Sequence, residues 1–142
     1  MSPKILEADR CYSIVGAFLE VFHYFGPGLP EFVYSKALEH VLRERGHKVA
    51  RELQVEIWFK DHRLGYKRLD MVVDDRVVVE LKAKERLSEY DIEQPKTYLK
   101  VTKFEVALLL HAGLMADWRR FIDSPKGRHR LAPIARARSQ GR

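Results

Sequence analysis

No disulfide can form within this chain, because its 142 residues include a single cysteine, Cys11. A stapled secreted scaffold is therefore excluded, the fold must rest on a packed core, and a reducing compartment such as the cytoplasm fits. Long apolar runs are missing too. The most apolar stretch, VALLLHAGLMA, is interrupted by His111 and falls short of the roughly 20 residues that cross a bilayer. Neither a membrane span nor a signal peptide is expected. The chain also lacks a phosphate-binding glycine loop of the P-loop type and a G-x-S-x-G elbow. His23, His40, His47, His62 and His129 show no zinc-ligand spacing. Up to His111 there is no excess of charge of either sign. The stretch from Ala112 onward holds eight basic residues against Asp117 and Asp123, and so carries the whole net charge of +6.

What is present reads as one ordinary globular domain, 46% apolar and 32% charged. Its expected extent is residues 1–122, followed by a basic tail, 123–142. Such a tail either meets a polyanion, because Lys and Arg gain by displacing phosphate counterions, or simply solubilises.

Apolar spacing lays out the elements. Cys11, Ile14, Val15, Phe18, Phe22 and Phe25 form one stripe at helical steps, predicting a helix over 5–25 that Gly26-Pro27-Gly28 stops. A second helix is expected from Pro30 to Arg45, with a stripe of Tyr34, Ala37, Leu38, Val41 and Leu42, ending at Gly46. Leu53, Val55, Ile57 and Phe59 alternate with polar residues as in a half-buried strand. DHRLG reads as a turn into RLDMVVDDRVVVELK. In SEYD, Ser88 and Asp91 have capping-box spacing, but Pro95 favours a helix that begins later, near Ile92, with the proline in its first turn. KFEVALLL reads as a buried strand and DWRRFI as a short last one. The order is ααβββαβ(β), an α/β (α+β) arrangement with a mixed central sheet flanked by helices.

The stretch RLDMVVDDRVVVELK (68–82) would suit any sheet, yet it keeps two carboxylates and an ammonium. With Asp74-Asp75-Arg76 as a three-residue loop, Val73 faces Val77, Met71 faces Val79 and Leu69 faces Leu81 on one wholly apolar side. Asp70 then falls opposite Glu80, and Lys82 projects from the same face. Like charges directly opposed, with Cβ atoms about 4.5–5.5 Å apart, destabilise a sheet. Either this is a solvated face neutralised by Lys82, or the carboxylates hold a divalent ion such as Mg²⁺.

Further motifs narrow the choice. GLPEFVY (Gly28, Glu31, Tyr34), RLD, ELK and QPKTYLK (Gln94, Tyr98) occur in the order seen in the GxxExxY family. The chain resembles a small member of the PD-(D/E)XK nuclease superfamily, near its RecB-like branch, over roughly residues 10–122. Pro95 stands where that family usually has an aliphatic residue, and LLLHAG replaces an LLLNFG-like ending.

The resemblance implies a restriction-endonuclease-like core and a metal-dependent nuclease that hydrolyses phosphodiester bonds, in DNA rather than RNA, with Mg²⁺ (or Mn²⁺). The alternative is an inactive module of the same fold that binds nucleic acid or a protein. It implies Asp70, Glu80 and the backbone carbonyl of Leu81 as metal ligands, with Glu31 joining directly or through water, and Lys82 as the catalytic lysine. Gln94, Tyr98, Arg68 and Tyr34 would contact substrate. Read as residues alone, Glu31 is equally a good helix-start residue, and Gln94 and Tyr98 a polar helix edge. His111 either lines the site or is a satisfied structural histidine. A homodimer or a protein partner is compatible with the pattern, and neither is required by it.

Overall fold

The computed structural model describes residues 6–123. The expected tail, apart from Asp123, lies outside them, as does the proposed helix start at Ile5. Helix α1 (Ala8–Phe25) and helix α2 (Glu31–Glu44) come first. Strands β1 (Val49–Phe59), β2 (His62–Val73) and β3 (Val77–Lys82) follow as a meander. Helix α3 (Glu89–Val101) then carries the chain to β4 (Val106–Ala112), and β5 (Ala116–Ile122) closes the order. The sheet runs β1-β2-β3-β4-β5, antiparallel except for the parallel β3–β4 pair that α3 bridges. This mixed five-stranded sheet between helices is the expected class. Among the described residues no helix is long and apolar enough to cross a membrane.

Both faces of the sheet are buried. Ile14, Phe18 and Phe22 of α1 and Tyr34, Leu38 and Leu42 of α2 pack on Met71, Val73, Val77, Val79, Leu108 and Leu110. On the other side Tyr98 and Leu99 of α3 pack with Phe104 on Leu53, Val55, Leu69, Val72, Val78 and Ala107. This explains why VVVEL and VALLL are continuous apolar runs, since a central strand covered on both sides has no solvent face to mark with polar residues. Phe25, assigned to the buried stripe, is instead exposed at the helix end.

The hairpin loop is Asp74-Asp75-Arg76, with Val73 opposite Val77 and Met71 opposite Val79. Asp74 and Asp75 both adopt φ of +55°, and Arg76 N–H donates to the Val73 carbonyl at 3.0 Å. Left-handed conformations at both central residues match the twist of a hairpin, and aspartate tolerates them.

DHRLG is not a turn beyond Asp61, since β2 begins at His62; two more expectations need correction. The first concerns Leu69, which does not join Met71 and Val73: it belongs to the α3-side core. The chain changes face at Asp70, and β1 does the same at Glu52, whose φ is +54°. Leu53 and Val55 thus face α3, while Val49 faces α1 and α2. The second concerns α3, which starts at Glu89 rather than near Ile92, leaving Pro95 inside it. Ser88 Oγ accepts from Asp91 N–H and Asp91 Oδ2 accepts from Ser88 N–H, a complete capping box. Lys84 Nζ adds a second bond to that carboxylate at 2.7 Å. Together these outweigh the one backbone bond that a proline forfeits.

At the end of the sheet where β2 turns into β3, Asp74 ties three elements together. Its Oδ2 accepts from Arg10 Nε of α1 at 2.8 Å and from His47 Nδ1 at 2.7 Å, and its Oδ1 accepts from Lys48 N–H at 2.8 Å. His47 Nε2 in turn meets Ser13 Oγ at 2.8 Å. Partial burial pushes the Asp74 carboxyl up, but the bonds from Arg10, His47 and Lys48 outweigh it and bring the pKa down to about 2. Because this lies below the unfolded value of about 3.9, Asp74 stabilises the fold above that pH. The contribution is lost as pH falls toward 2. Asp74→Asn should therefore cost about 1–3 kcal/mol in urea unfolding at pH 7, with the gap to wild type closing between about pH 4 and pH 2. A gap independent of pH would contradict a charge-based anchor.

Candidate active site

Glu80 lies on the central strand β3, between Val79 and Leu81, and is 4% exposed. Its neighbours Val77, Val79 and Leu81 point into the α1/α2 core, so Glu80 and Lys82 project on the α3 side. Lys82 Nζ stands 3.4 Å from Glu80 Oε2. The other oxygen, Oε1, is buried with no hydrogen-bond partner among the described residues. Burial pushes the Glu80 carboxyl up; Lys82 opposes the rise, Asp70 and Glu31 add to it, and the pKa reaches about 7. Burying a carboxylate with one oxygen unbonded is expensive unless a charge or a ligand completes it.

Asp70 sits where β2 changes face, and its backbone carbonyl accepts from Arg51 Nε at 3.0 Å. The β2–β3 ladder is paired from Met71–Val79 to Val73–Val77, so Asp70 and Glu80 flank its open end. Beyond that point β2 leaves β3, and the β2-facing edge of Glu80-Leu81-Lys82 has no strand partner. Leu81 buries its side chain in the α1/α2 core, which holds the backbone between the two polar residues. Glu31, the first residue of α2, is exposed, and its charge is felt at both Glu80 and Lys82. Burial lowers the Lys82 pKa, but Glu80, Glu31 and Asp91 outweigh it and raise it above the ordinary lysine value. Lys82 is therefore an ammonium at neutral pH, a donor rather than a base.

The α3 side chains close over this cluster. Tyr98 is buried, and burial followed by the charges of Glu80, Asp70 and Tyr90 raises its hydroxyl pKa, so the phenol stays neutral. Gln94 lies one turn earlier; its Nε2 donates to the Tyr90 hydroxyl at 3.4 Å, and its Oε1 is buried without a partner. Arg68 is exposed and pairs with Glu52 at 3.6 Å, not with the surroundings of Glu80.

The substrate contact expected of Tyr34 does not fit its position. Tyr34 is 0% exposed, stacked near Phe22, and its hydroxyl donates to the Gly26 carbonyl at 2.6 Å while accepting from Leu29 N–H at 3.1 Å. It braces the α1–α2 loop that presents Glu31. His111 is satisfied structurally, its Nε2 donating to the Lys84 carbonyl at 2.7 Å.

Two participants escaped the sequence reading. Lys67 Nζ lies 5.1 Å from the centre of the Tyr98 ring, bringing a second ammonium to the site's rim. The buried Asp91, bonded to Lys84 and Ser88, adds negative charge behind Lys82. The capping-box spacing signalled Asp91 as a cap only, and nothing local marked Lys67.

Among the described residues no three His, Cys, Asp or Glu side chains converge to hold a metal. The set still fits a hard divalent ion, because Mg²⁺ commonly takes one or two carboxylates and keeps several waters. Glu80 offers an unbonded oxygen for one of those bonds, and Asp70 is close enough to raise its pKa.

An independent finding decides the lineage: the family model described as the PD-(D/E)XK nuclease superfamily matches residues 8–121. The chain belongs to this superfamily. No curated protein and no solved structure gave a match. In this PD-(D/E)XK chain the spacing of Asp70 and of Glu80-Leu81-Lys82 is compatible with the motif that names the superfamily. Superfamily members are nucleases that generally use divalent metals and act on nucleic acids.

The raised Glu80 pKa gives a test on the protein free of metal. The folded value of about 7 exceeds the unfolded one of about 4.3, so stability is full below about pH 4.3 and falls as pH rises through 7. Glu80→Gln should raise stability at pH 8 by about 1–3 kcal/mol, and this gain should disappear near pH 4. Thermal melts of both chains in a chelator across that range measure it, and equal melts at pH 8 would show that Glu80 is well solvated.

Proposed function

We propose that this PD-(D/E)XK chain is a DNA nuclease that hydrolyses phosphodiester bonds with Mg²⁺ or Mn²⁺. The observation that carries the reading is the buried, unpartnered Glu80 Oε1, set beside the Lys82 ammonium and under the charges of Asp70 and Glu31. Asp70, Glu80 and the Leu81 carbonyl would hold the ion, with Glu31 joining through water. When bound, such an ion supplies an acidified water and offsets negative charge on the phosphate.

The chain's own residues do the rest. Lys82, kept protonated, donates to a phosphate oxygen or orients the attacking water, and its charge is worth most in the transition state. Tyr98, held neutral, and Gln94, with an open acceptor, shape the side of the site toward α3. Lys67 adds positive charge where a phosphate would enter. GLPEFVY and Q-x-x-x-Y support placement in the GxxExxY family near the RecB-like branch. The same resemblance favours DNA over RNA. A cytoplasmic location agrees with a lone buried cysteine.

A second reading, a binding module that does not cut, is favoured by one observation: no three acidic or histidine side chains converge among the described residues. Cleavage of labelled single- and double-stranded DNA, with RNA in parallel, separates the two in Mg²⁺ and Mn²⁺. Wild type should cut, and Lys82→Ala should lose about 10²–10³ in kcat while keeping affinity within a few-fold. Equal activity in both chains would remove the site; no cutting by either, with salt-sensitive binding retained, would favour the module.

A further inference from the structure

The face that carries Glu80 and Lys82 continues across the sheet. Glu80 lies beside Leu109, which faces Arg119, and Lys82 lies beside His111, which faces Asp117. Strands are about 4.8 Å apart, so Arg119 and Asp117 stand about 10 Å from the lysine–carboxylate pair. There the surface sinks into a cavity of about 330 Å³, bordered by Arg86, Ile92, His111, Asp117, Trp118 and Arg119. The bond from His111 Nε2 to the Lys84 carbonyl pins the β3–α3 loop, which carries Arg86, against β4. Neither the Arg86 nor the Arg119 guanidinium has a hydrogen-bond or ion-pair partner among the described residues. Asp117 Oδ1 is engaged by Trp118 N–H at 2.8 Å.

Two guanidiniums and one carboxylate leave one positive charge in excess, which matches the single charge of a phosphodiester. A guanidinium fork also suits phosphate geometry better than an ammonium does. Trp118 borders the cavity only from the edge strand: it faces Leu110 of the α1/α2 core, so its ring turns to the other side of the sheet. We propose that this cavity is a subsite for one phosphodiester of a nucleic-acid strand, lying close to the segment engaged at Lys82. Arg86 and Arg119 hold that phosphodiester from the two sides of the cavity. The inference rests on the nuclease reading for its orientation, but binding to the cavity needs neither metal nor cleavage.

The test is fluorescence anisotropy of a labelled single-stranded oligonucleotide with the full chain in a chelator, over a series of salt concentrations. Arg86→Ala with Arg119→Ala should weaken binding about tenfold and reduce the slope of log K against log salt by about 0.7, the share of one phosphate. Trp118→Ala, a change on the opposite face of the sheet, should leave both affinity and slope unchanged. Asp117→Asn should strengthen it and steepen the slope. Unchanged affinity and slope in the double arginine variant would overturn the subsite. Arginine-dependent binding without Mg²⁺-dependent cutting would uphold the subsite and sink the nuclease. Cutting with arginine-independent binding would do the reverse.

Discussion

Glu80 occupies the middle of a strand whose neighbours on both sides are buried apolar residues, and it is the position around which the rest of the molecule is arranged. A valine there would extend the α3-side core and remove a charge from a place where water barely reaches. Instead the carboxyl titrates near neutrality, with one oxygen beside Lys82 and the other open. Local instability of this kind concentrates where binding or chemistry must happen, and the surrounding structure has to absorb it.

The scaffold absorbs it through the apolar core packed around the central strands. Apolar layers cover both faces of the sheet, so β3 and β4 stay in place despite the charge between them. At the far end of the hairpin, Asp74 ties α1, the α2–β1 connection and the β2–β3 turn together through hydrogen bonds to Arg10, His47 and Lys48. At the near end the opposite happens. The change of face at Glu52 and Asp70 separates β2 from β3 and leaves the edge of Glu80-Leu81-Lys82 accessible. One hairpin thus has a locked turn and an open mouth, and the polar residues gather at the mouth.

Charge at the mouth is balanced within the protein only in part. Lys82 answers Glu80, while Asp70 and Glu31 contribute negative potential that Glu80 and Lys82 both register. An added cation would relieve that excess, and membership of the PD-(D/E)XK superfamily makes a divalent ion the natural one. Around this acidic centre stand Lys67, Arg86 and Arg119. Acid at the centre with base at the rim suits a polyanion bound through its flanks and handled by a metal in the middle.

The order of the elements was legible because apolar periodicity is a local property: alternation marks β1, helical stripes mark α1 and α2, and continuous runs mark β3 and β4. The hairpin loop was legible for the same reason, since only Asp74-Asp75-Arg76 keeps Met71 and Val73 on one face with Val77 and Val79. The superfamily followed from several short motifs in the right order. What the period could not carry was any event that breaks it. The face change at Asp70 and Glu52 depends on a left-handed residue in one strand and its effect on the neighbour. The start of α3 turned on Lys84 reaching Asp91, a tertiary bond that reinforces a cap against a proline. Tyr34 had the spacing of a site residue, but packing against α1 spent its hydroxyl on Gly26 and Leu29. Lys82 was visible as a lysine, whereas its protonation is set by Glu80, Glu31 and Asp91, which come from three different elements or their junctions. Residue identity and spacing alone determined which strands and helices form and which residue types the site contains. Orientation, burial and charge state were decided by contacts between residues far apart in the chain, because each depends on what the fold brings alongside.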